Sequence, residues 1–144
     1  MDVIDRKTRS KIMAAIRSSG NRSTELVVER LLRQRRLRGW RRQFSVEGRP
    51  DFAWPGLKIA LFVDGCFWHG CSLCYRPAKS NVEFWKGKVE RNRARDKRVS
   101  RHLRSRGWTV LRVRECQVSR HATACRIERA YSRAMRSAAY EGVE

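Results

Sequence analysis

The sequence lacks the features that would place it in or across a membrane. No apolar run approaches the roughly 18 residues that a membrane span needs. The N-terminal MDVIDRKTRSK has no apolar core of the kind that a signal peptide carries. Internal repeats and low-complexity linkers are lacking as well. A chain of 144 residues, 41% of them hydrophobic, therefore predicts one globular domain in the cytoplasm.

Acidic residues are scarce relative to basic ones. Thirty-four Lys and Arg residues face fourteen Asp and Glu residues, which gives a formal net charge of +20. Self-repulsion of such a charge opposes folding unless a polyanion neutralises it, and the arginine fork binds phosphate oxygens in bidentate geometry. The composition predicts nucleic-acid binding without sequence specificity, and a solvated basic surface is the competing interpretation.

The apolar pattern predicts an α/β fold in which helices flank a mixed sheet. Helical patterns cover residues 8–19, the stretch after Ser23, 81–106 and 121–140. Strand patterns cover residues 42–46 (weakly), 51–54, 58–64 and 108–115. In the third of these strands both alternating sets of side chains are apolar, so we expect it to be buried on both faces.

The five cysteines indicate metal ligands or free thiols rather than disulfides, because the cytoplasm is reducing. Three lie in the segment DGCFWHGCSLC, residues 64–74, and a fourth follows the last predicted strand: Cys66, Cys71, Cys74 and Cys116. Four thiolates would complete a closed, structural zinc site. His69 could replace one of them, and a set of buried or idle cysteines is the competing interpretation. Cys125 is most simply a small core residue.

Carboxylates at two predicted strands suggest a second metal site. The segment GRPDF puts Asp51 at the start of one strand, and the next strand ends in Val63 and Asp64. Nucleases with a Pro-Asp pair use this arrangement to hold Mg²⁺ beside the scissile phosphate. The lysine that usually follows is lacking after Asp64, which makes His69 the candidate general base.

A simple hairpin centred on residues 55–56 would pair Asp51 with Ala60. Asp64 would then lie about 13 Å further along the strand, so Asp64 ranks below Asp51 as a metal ligand. The competing interpretations are a strand-entry turn residue for Asp51 and a spare zinc ligand for His69.

The sequence resembles the very short patch repair (Vsr) endonucleases in five segments: DRKTRSKIMAAIRS, GRPDF, LFVDGCFWHGC, EFWKGKVERNRARD and RGWTVLRVRECQV. The resemblance runs from about Asp5 to Val118. It implies a restriction-endonuclease-like fold, a structural zinc, and Mg²⁺-dependent nicking 5′ to the thymine of a T:G mismatch. We expect one domain over residues 1–144. The resemblance implies that an N-terminal helix over residues 1–20 contacts DNA, and it does not cover the predicted C-terminal helix over residues 119–144.

The resemblance assigns roles to individual active-site residues. Asp51 would bind the catalytic metal with help from the main-chain oxygen of Val63. His69 would activate the attacking water, and Asp96 would orient His69. Glu25 corresponds to an acidic active-site residue.

The resemblance also covers the zinc ligands and the contacts with DNA. Asp64 stands where some members have a histidine, and members vary between Cys and His near Cys74. Four apolar side chains would open the duplex beside the mismatch: Phe67, Trp68 and Trp85 from the major groove, and Met13 from the minor groove. For Phe67 and Trp68, a core plug over the zinc site is the competing interpretation.

The leading hypothesis is a mismatch-directed nicking endonuclease with Mg²⁺ and Zn²⁺ as cofactors. The alternatives are a Vsr-like nickase with relaxed or different specificity, and a zinc-stabilised DNA-binding module without activity. The expected partners are double-stranded DNA with a mismatch and, as candidates, mismatch-repair proteins or a DNA cytosine methyltransferase. We expect a monomer in the bacterial cytoplasm, associated with the nucleoid.

Overall fold

The computed structural model describes residues 5–8, 10, 22–66, 70, 71, 73 and 79–142. Residues 6–8 and 10 are helical, and the rest of the predicted helix over residues 8–19 lies outside the described residues. The three long helices in the described ranges are α1 (Arg22–Gln34), α2 (Val82–Ser105) and α3 (His121–Glu141). The four strands are β1 (Arg41–Arg42), β2 (Phe52–Trp54), β3 (Ile59–Asp64) and β4 (Thr109–Arg114).

The strands form one mixed sheet in the order β1-β2-β3-β4. β2 is antiparallel to both β1 and β3, whereas β3 and β4 are parallel and are connected through α2. The predicted α/β fold with a mixed, helix-flanked sheet is thus confirmed. The first strand is shorter and earlier than predicted: the chain leaves the strand at Gln43, whose φ of +48° lies in the left-handed region.

Strand β3 is buried on both faces, as its uniformly apolar sequence predicted. Ile59 and Leu61 pack into a core that also holds side chains of α1 and α3. Ala60 and Phe62 point to the opposite face, where they pack against α2. Since successive strand residues alternate between faces, this one strand links both halves of the core.

Helix α2 packs so that its polar side chains lie over one end of the sheet. Val99 and Leu103 are buried against the sheet face that carries Phe62. Asp96 lies three residues before Val99, hence on the same side of the helix and one turn earlier. This places the Asp96 carboxylate near the C-terminal ends of β3 and β4.

The pairing of β2 with β3 differs from the predicted hairpin. Phe52 stands opposite Leu61, and the same register continued by one residue sets Asp51 opposite Phe62. The predicted pairing of Asp51 with Ala60 is therefore wrong by two residues.

The turn between these strands explains the difference. Residues 55–57 form a 3₁₀ turn and Lys58 follows with a φ of +50°, so four residues connect the strands instead of two. Asp64 consequently lies two residues beyond the position opposite Asp51, or roughly 7 Å along the strand. The prediction that Asp64 is four residues away was wrong, and the two carboxylates belong to one site.

Among the described helices, none is both long enough and apolar enough to cross a membrane.

The absence of a side chain at Gly48 allows α2 to pack closely against the sheet. The φ of Gly48 is +82°, and a Cβ atom there would lie 2.4 Å from Val99 Cγ1. We expect Gly48→Ala to lower the free energy of unfolding by about 1–3 kcal/mol, measured by urea denaturation. Gly56→Ala is the matched control, because a Cβ atom at Gly56 would meet nothing within 4 Å. Equal stability of the two variants would contradict this account of Gly48.

Candidate active site and metal centre

Asp51 is a buried carboxylate at the entry to β2, with 7% of its surface exposed. The main-chain N–H of Val63 donates a hydrogen bond of 2.7 Å to Asp51 Oδ2. On the other side, Gln43 Nε2 lies 3.5 Å from Oδ1. The position of this carboxylate is thus determined by the register between β2 and β3, which brings Val63 alongside it.

The surroundings of Asp51 disfavour its charged form. Burial is the largest cause and raises the pKa of Asp51 to about 7. The hydrogen bond from Val63 lowers the pKa, while a hydrogen bond with Glu25 and the negative charges of Glu25 and Asp64 raise it. A carboxylate held among other carboxylates is stabilised by a bound cation, as in metal sites.

Glu25 reaches Asp51 from the first turn of α1 and is itself buried. Its carboxylate forms an ion pair with Arg42 of β1. The Arg42 guanidinium also lies 3.4 Å from Glu29 and 4.8 Å from the centroid of the Phe52 ring. Because Arg42 stands opposite Phe52 in the sheet, the short strand β1 supplies the countercharge for Glu25.

Asp64 and Asp96 face each other across the other side of the cleft, joined by Arg112 of β4. Arg112 Nη1 lies 2.9 Å from Asp64 Oδ1 and 3.7 Å from Asp96 Oδ1. The cleft itself is lined by these residues of the sheet, α2 and the loop before β2: Gln43, Gly48, Arg49, Asp51, Phe62, Val63, Asp64, Arg95, Asp96, Val99 and Arg112.

The oxygen atoms of this cleft suit a hard divalent cation. Mg²⁺ prefers carboxylate and carbonyl oxygens, and Asp51 has a desolvated carboxylate next to two others. The N–H and C=O of one strand residue point to the same side, so the Val63 carbonyl faces the same side as its N–H, which bonds Asp51. The predicted pair of Asp51 and the Val63 main-chain oxygen therefore fits the local geometry.

Three of the four predicted zinc ligands lie together. The sulfur atoms of Cys66, Cys71 and Cys116 are within 4.8 Å of one another, and those of Cys71 and Cys116 are 3.8 Å apart. Thiolates 2.3 Å from one tetrahedral zinc ion would be ~3.8 Å apart. The spacing of the three sulfur atoms is therefore compatible with binding of a zinc ion. Cys74 and the alternative ligand His69 lie outside the described residues.

Cys66 and Gly70, which flank residues 67–69, contact the residue after β4 and helix α2, respectively. Gly70 has a φ of +56°, and a Cβ atom there would lie 2.7 Å from Val89 Cγ1 of α2. Arg93 donates a hydrogen bond to the Gly70 carbonyl. The N–H of Cys66 donates to Glu115 Oε2 at 3.4 Å. These contacts hold Cys66 and Gly70 in place relative to the cleft.

The structure gathers the described candidates at one end of the sheet. Four of the residues predicted for catalysis or Mg²⁺ binding line the cleft and a fifth contacts Asp51 from α1: Asp51, Val63, Asp64, Asp96 and Glu25. The catalytic candidate His69 falls outside the described residues, and so do four residues predicted for zinc or DNA binding: Cys74, Phe67, Trp68 and Met13. Trp85 is half-buried in the first turn of α2, beside the exposed Phe84 with ring centroids 5.1 Å apart.

Two arginines that pair with carboxylates of the site were not predicted: Arg42 and Arg112. Both are arginines in a sequence with many arginines, so composition does not single them out. The strand pattern did contain a signal for Arg112, which is a charged residue within the otherwise apolar stretch VLRV of β4. A charged side chain within a buried strand usually has a charged partner. Cys125 lies beside His121, with its sulfur 3.2 Å from Nε2, and is no part of the cysteine cluster found in the described residues.

Comparison with known proteins agrees with the site. Residues 1–76 match the family described as DNA mismatch endonuclease Vsr. The chain is 39% identical over 127 residues to the Type II nicking enzyme V.NmeDIP of Neisseria meningitidis serogroup C, covering 87% of this chain and 85% of that protein. It is 40% identical over 116 residues to the Type II nicking enzyme V.HpaIIP of Haemophilus parainfluenzae, covering 78% and 81%. It is 39% identical over 117 residues to the DNA mismatch endonuclease Vsr of Escherichia coli, covering 80% and 74%.

The acidic cleft at the end of a mixed sheet and these matches define the class of the protein as a DNA endonuclease. The chain belongs to the Vsr family of DNA mismatch endonucleases. The family resemblance inferred from the sequence motifs is confirmed.

The cysteine cluster leads to a prediction about metal content. We expect about one tightly bound zinc ion per chain, and we expect Cys116→Ser to lose most of it and to lower the melting temperature, since the site would be opened. Elemental analysis and thermal unfolding measure the two effects. Cys125→Ser is the matched control and should change neither. Stable protein that contains no zinc would contradict the assignment.

Proposed function

We propose that this protein is a Mg²⁺-dependent endonuclease that nicks DNA at T:G mismatches, hydrolysing the phosphodiester bond 5′ to the mismatched thymine in very short patch repair. The observation that carries the proposal is the buried Asp51 carboxylate, which faces Glu25 and Asp64 in a cleft at the end of the sheet. Membership of the Vsr family supports the same function.

In this proposal Asp51 and the main-chain oxygen of Val63 hold Mg²⁺. When bound, this ion would neutralise the carboxylate cluster and stabilise charge on the phosphate that is cleaved. Asp51 is suited to the task because the Val63 N–H holds its carboxylate in place before the ion arrives. Glu25 contacts Asp51 from α1. The ion pair between Glu25 and Arg42 holds the Glu25 carboxylate beside that of Asp51.

His69 is the proposed general base, and Asp96 its orienting partner. The support is positional. Gly70, which follows His69 directly, is packed against α2 four to five helical turns before the helix ends, and Asp96 lies on the same helix facing the cleft. An imidazole needs a fixed partner on one nitrogen to accept a proton on the other. Asp96 is the carboxylate that α2 places at the cleft.

DNA recognition in this proposal uses three parts of a single domain over residues 1–144: the N-terminal helix, four apolar side chains and the exposed arginines. The helix over residues 1–20 contacts DNA, and four apolar side chains open the duplex at the mismatch: Phe67, Trp68, Trp85 and Met13. A weakly paired T:G step is opened at lower cost than a matched step, so wedge residues would convert mismatch instability into selectivity. Exposed arginines of α2 and α3, the latter within the segment 119–144, supply phosphate contacts.

The proposal extends to fold, partners and location. A mixed sheet with the acidic cleft at its end supports a restriction-endonuclease-like fold. We further propose a monomer that acts at the bacterial nucleoid, with mismatch-repair proteins or a DNA cytosine methyltransferase as candidate partners.

A second candidate function is nicking with a different or relaxed specificity. The observation that favours it is the naming of relatives: two of the three described above are Type II nicking enzymes. The other alternative from the sequence, a zinc-stabilised DNA-binding module without activity, is disfavoured by the acidic cleft and by the endonuclease relatives.

One assay distinguishes these functions. The protein is incubated with Mg²⁺ and end-labelled duplexes that contain a T:G mismatch, another mismatch or only matched pairs. We expect nicking 5′ to the thymine of the T:G duplex, and Asp51→Asn should reduce the single-turnover rate by at least about 10²-fold while leaving DNA affinity unchanged or slightly higher, because a negative charge near phosphate is removed.

The other outcomes of the same assay point to the alternatives. Nicking of all three duplexes supports the relaxed nickase, and binding without cleavage supports the DNA-binding module. Full activity of Asp51→Asn would contradict the proposed site, whatever the substrate preference. Glu141→Gln, at the exposed end of α3 and outside the cleft, is a control for the loss of one acidic charge.

A further inference from the structure

The Arg112 side chain contacts four different groups in and beside the cleft, although the proposed function assigns it no role. Its Nη1 donates to Asp64 Oδ1 at 2.9 Å, and its Nη2 donates to the main-chain oxygen of Asp96 at 3.3 Å. Its Nε donates to Ser100 Oγ at 2.9 Å. The guanidinium carbon lies 4.3 Å from the centroid of the Phe62 ring. One side chain therefore joins the end of β3 to the middle of α2.

The sheet register explains how Arg112 reaches all of these groups. Arg112 stands opposite Phe62 in the parallel pairing of β3 and β4, so its side chain shares a face with Phe62 and with Asp64, two residues further on. That face is covered by α2, which presents Asp96 and the buried Ser100 one turn apart. With its side chain only 22% exposed, Arg112 is poorly screened by water and its charge acts strongly on neighbouring carboxylates.

We propose that Arg112 is a positioning residue for the nicking reaction, which fixes the carboxylates of Asp64 and Asp96 and neutralises Asp64 so that its charge does not compete with Asp51 for the metal. This inference rests on the proposed function. The family resemblance assigns no role to Arg112. It leaves the role of Asp64 open, because Asp64 stands where some members have a histidine.

The charge balance of the cleft gives the physical reason. Asp64 lies two residues beyond the position opposite Asp51 and lines the same cleft, so its negative charge acts on the Asp51 carboxylate. Arg112 lies on the far side of Asp64 and draws its carboxylate toward β4 and α2. Without the guanidinium, Asp64 would carry a less compensated charge and could turn toward Asp51. A cation would then bind more tightly, but Asp64 would compete with Asp51 for it and displace it from the position that the proposed reaction needs.

Arg112→Met tests this directly, since methionine retains much of the side-chain length and the contact with Phe62 but has no charge and no N–H donors. We expect the single-turnover nicking rate to fall by about 10²-fold, as displaced catalytic groups typically cause. We expect the affinity of the DNA-free protein for Mg²⁺, measured by calorimetry, to rise by roughly threefold to tenfold. A residue that only stabilises the fold would not strengthen Mg²⁺ binding.

Two further variants separate charge from geometry. In the double variant Asp64→Asn/Arg112→Met the competing carboxylate is gone, so the Mg²⁺ affinity should return to within about twofold of the wild-type value. Arg112→Lys keeps the charge but loses the planar fork. It should therefore leave the Mg²⁺ affinity unchanged and recover part of the nicking rate. Should Arg112→Met fail to fold, Arg112→Lys carries the test, and a full wild-type nicking rate in that variant would contradict the inference.

Arg106→Met is the matched control, because Arg106 is exposed just after the end of α2 and its substitution removes the same charge. It should change neither the nicking rate nor the Mg²⁺ affinity. The inference is overturned if Arg112→Met nicks at the wild-type rate, if its Mg²⁺ affinity stays the same or falls, or if it loses more DNA affinity than Arg106→Met. If the wild-type protein nicks no duplex, the proposed function fails, and the Mg²⁺ affinities alone then decide whether Arg112 neutralises Asp64.

Discussion

The burial of one carboxylate, that of Asp51, is the constraint on which the rest of the site depends. A carboxylate removed from water is destabilised unless hydrogen bonds or positive charge compensate. Here the compensation is partial: one main-chain N–H donates to it, while two other carboxylates oppose its charge. No Lys or Arg of the described residues forms a salt bridge with Asp51, which leaves the site electrostatically incomplete without a cation.

The two neighbouring carboxylates, Glu25 and Asp64, each form an ion pair with an arginine, unlike Asp51. Glu25 is paired with Arg42 from the short edge strand, and Asp64 is paired with Arg112 from β4. Each arginine also lies over a ring of the sheet, Phe52 in one case and Phe62 in the other. The sheet thus provides fixed cations on both flanks and a carboxylate without a paired cation at the centre. This arrangement would favour the proposed binding of a cation at Asp51 over binding at its neighbours.

Much of this could be predicted from the sequence, and the errors have identifiable causes. The long helices and the buried strand β3 follow from periodicity, and Cys116 was correctly placed with Cys66 and Cys71 because a strand end leads to it. The register of Asp51 was not predictable from a Pro-Gly turn signal, since a 3₁₀ turn and a left-handed Lys58 add two residues to the connection. Arg112 was missed because its contact with Asp64 depends on the parallel pairing of β3 with β4, which are far apart in the chain.

The titration of Asp51 tests the central claim most directly. A pKa raised in the folded state means that stability from this group is present at low pH and falls as the pH rises from the ordinary carboxyl value toward about 7. Carbon-13 NMR of aspartate-labelled protein can follow the carboxyl itself, with Asp51→Asn identifying its signal. The account predicts a midpoint near pH 7 without Mg²⁺ and a midpoint well below that when Mg²⁺ is saturating. An ordinary carboxyl midpoint, unchanged by Mg²⁺, would contradict it.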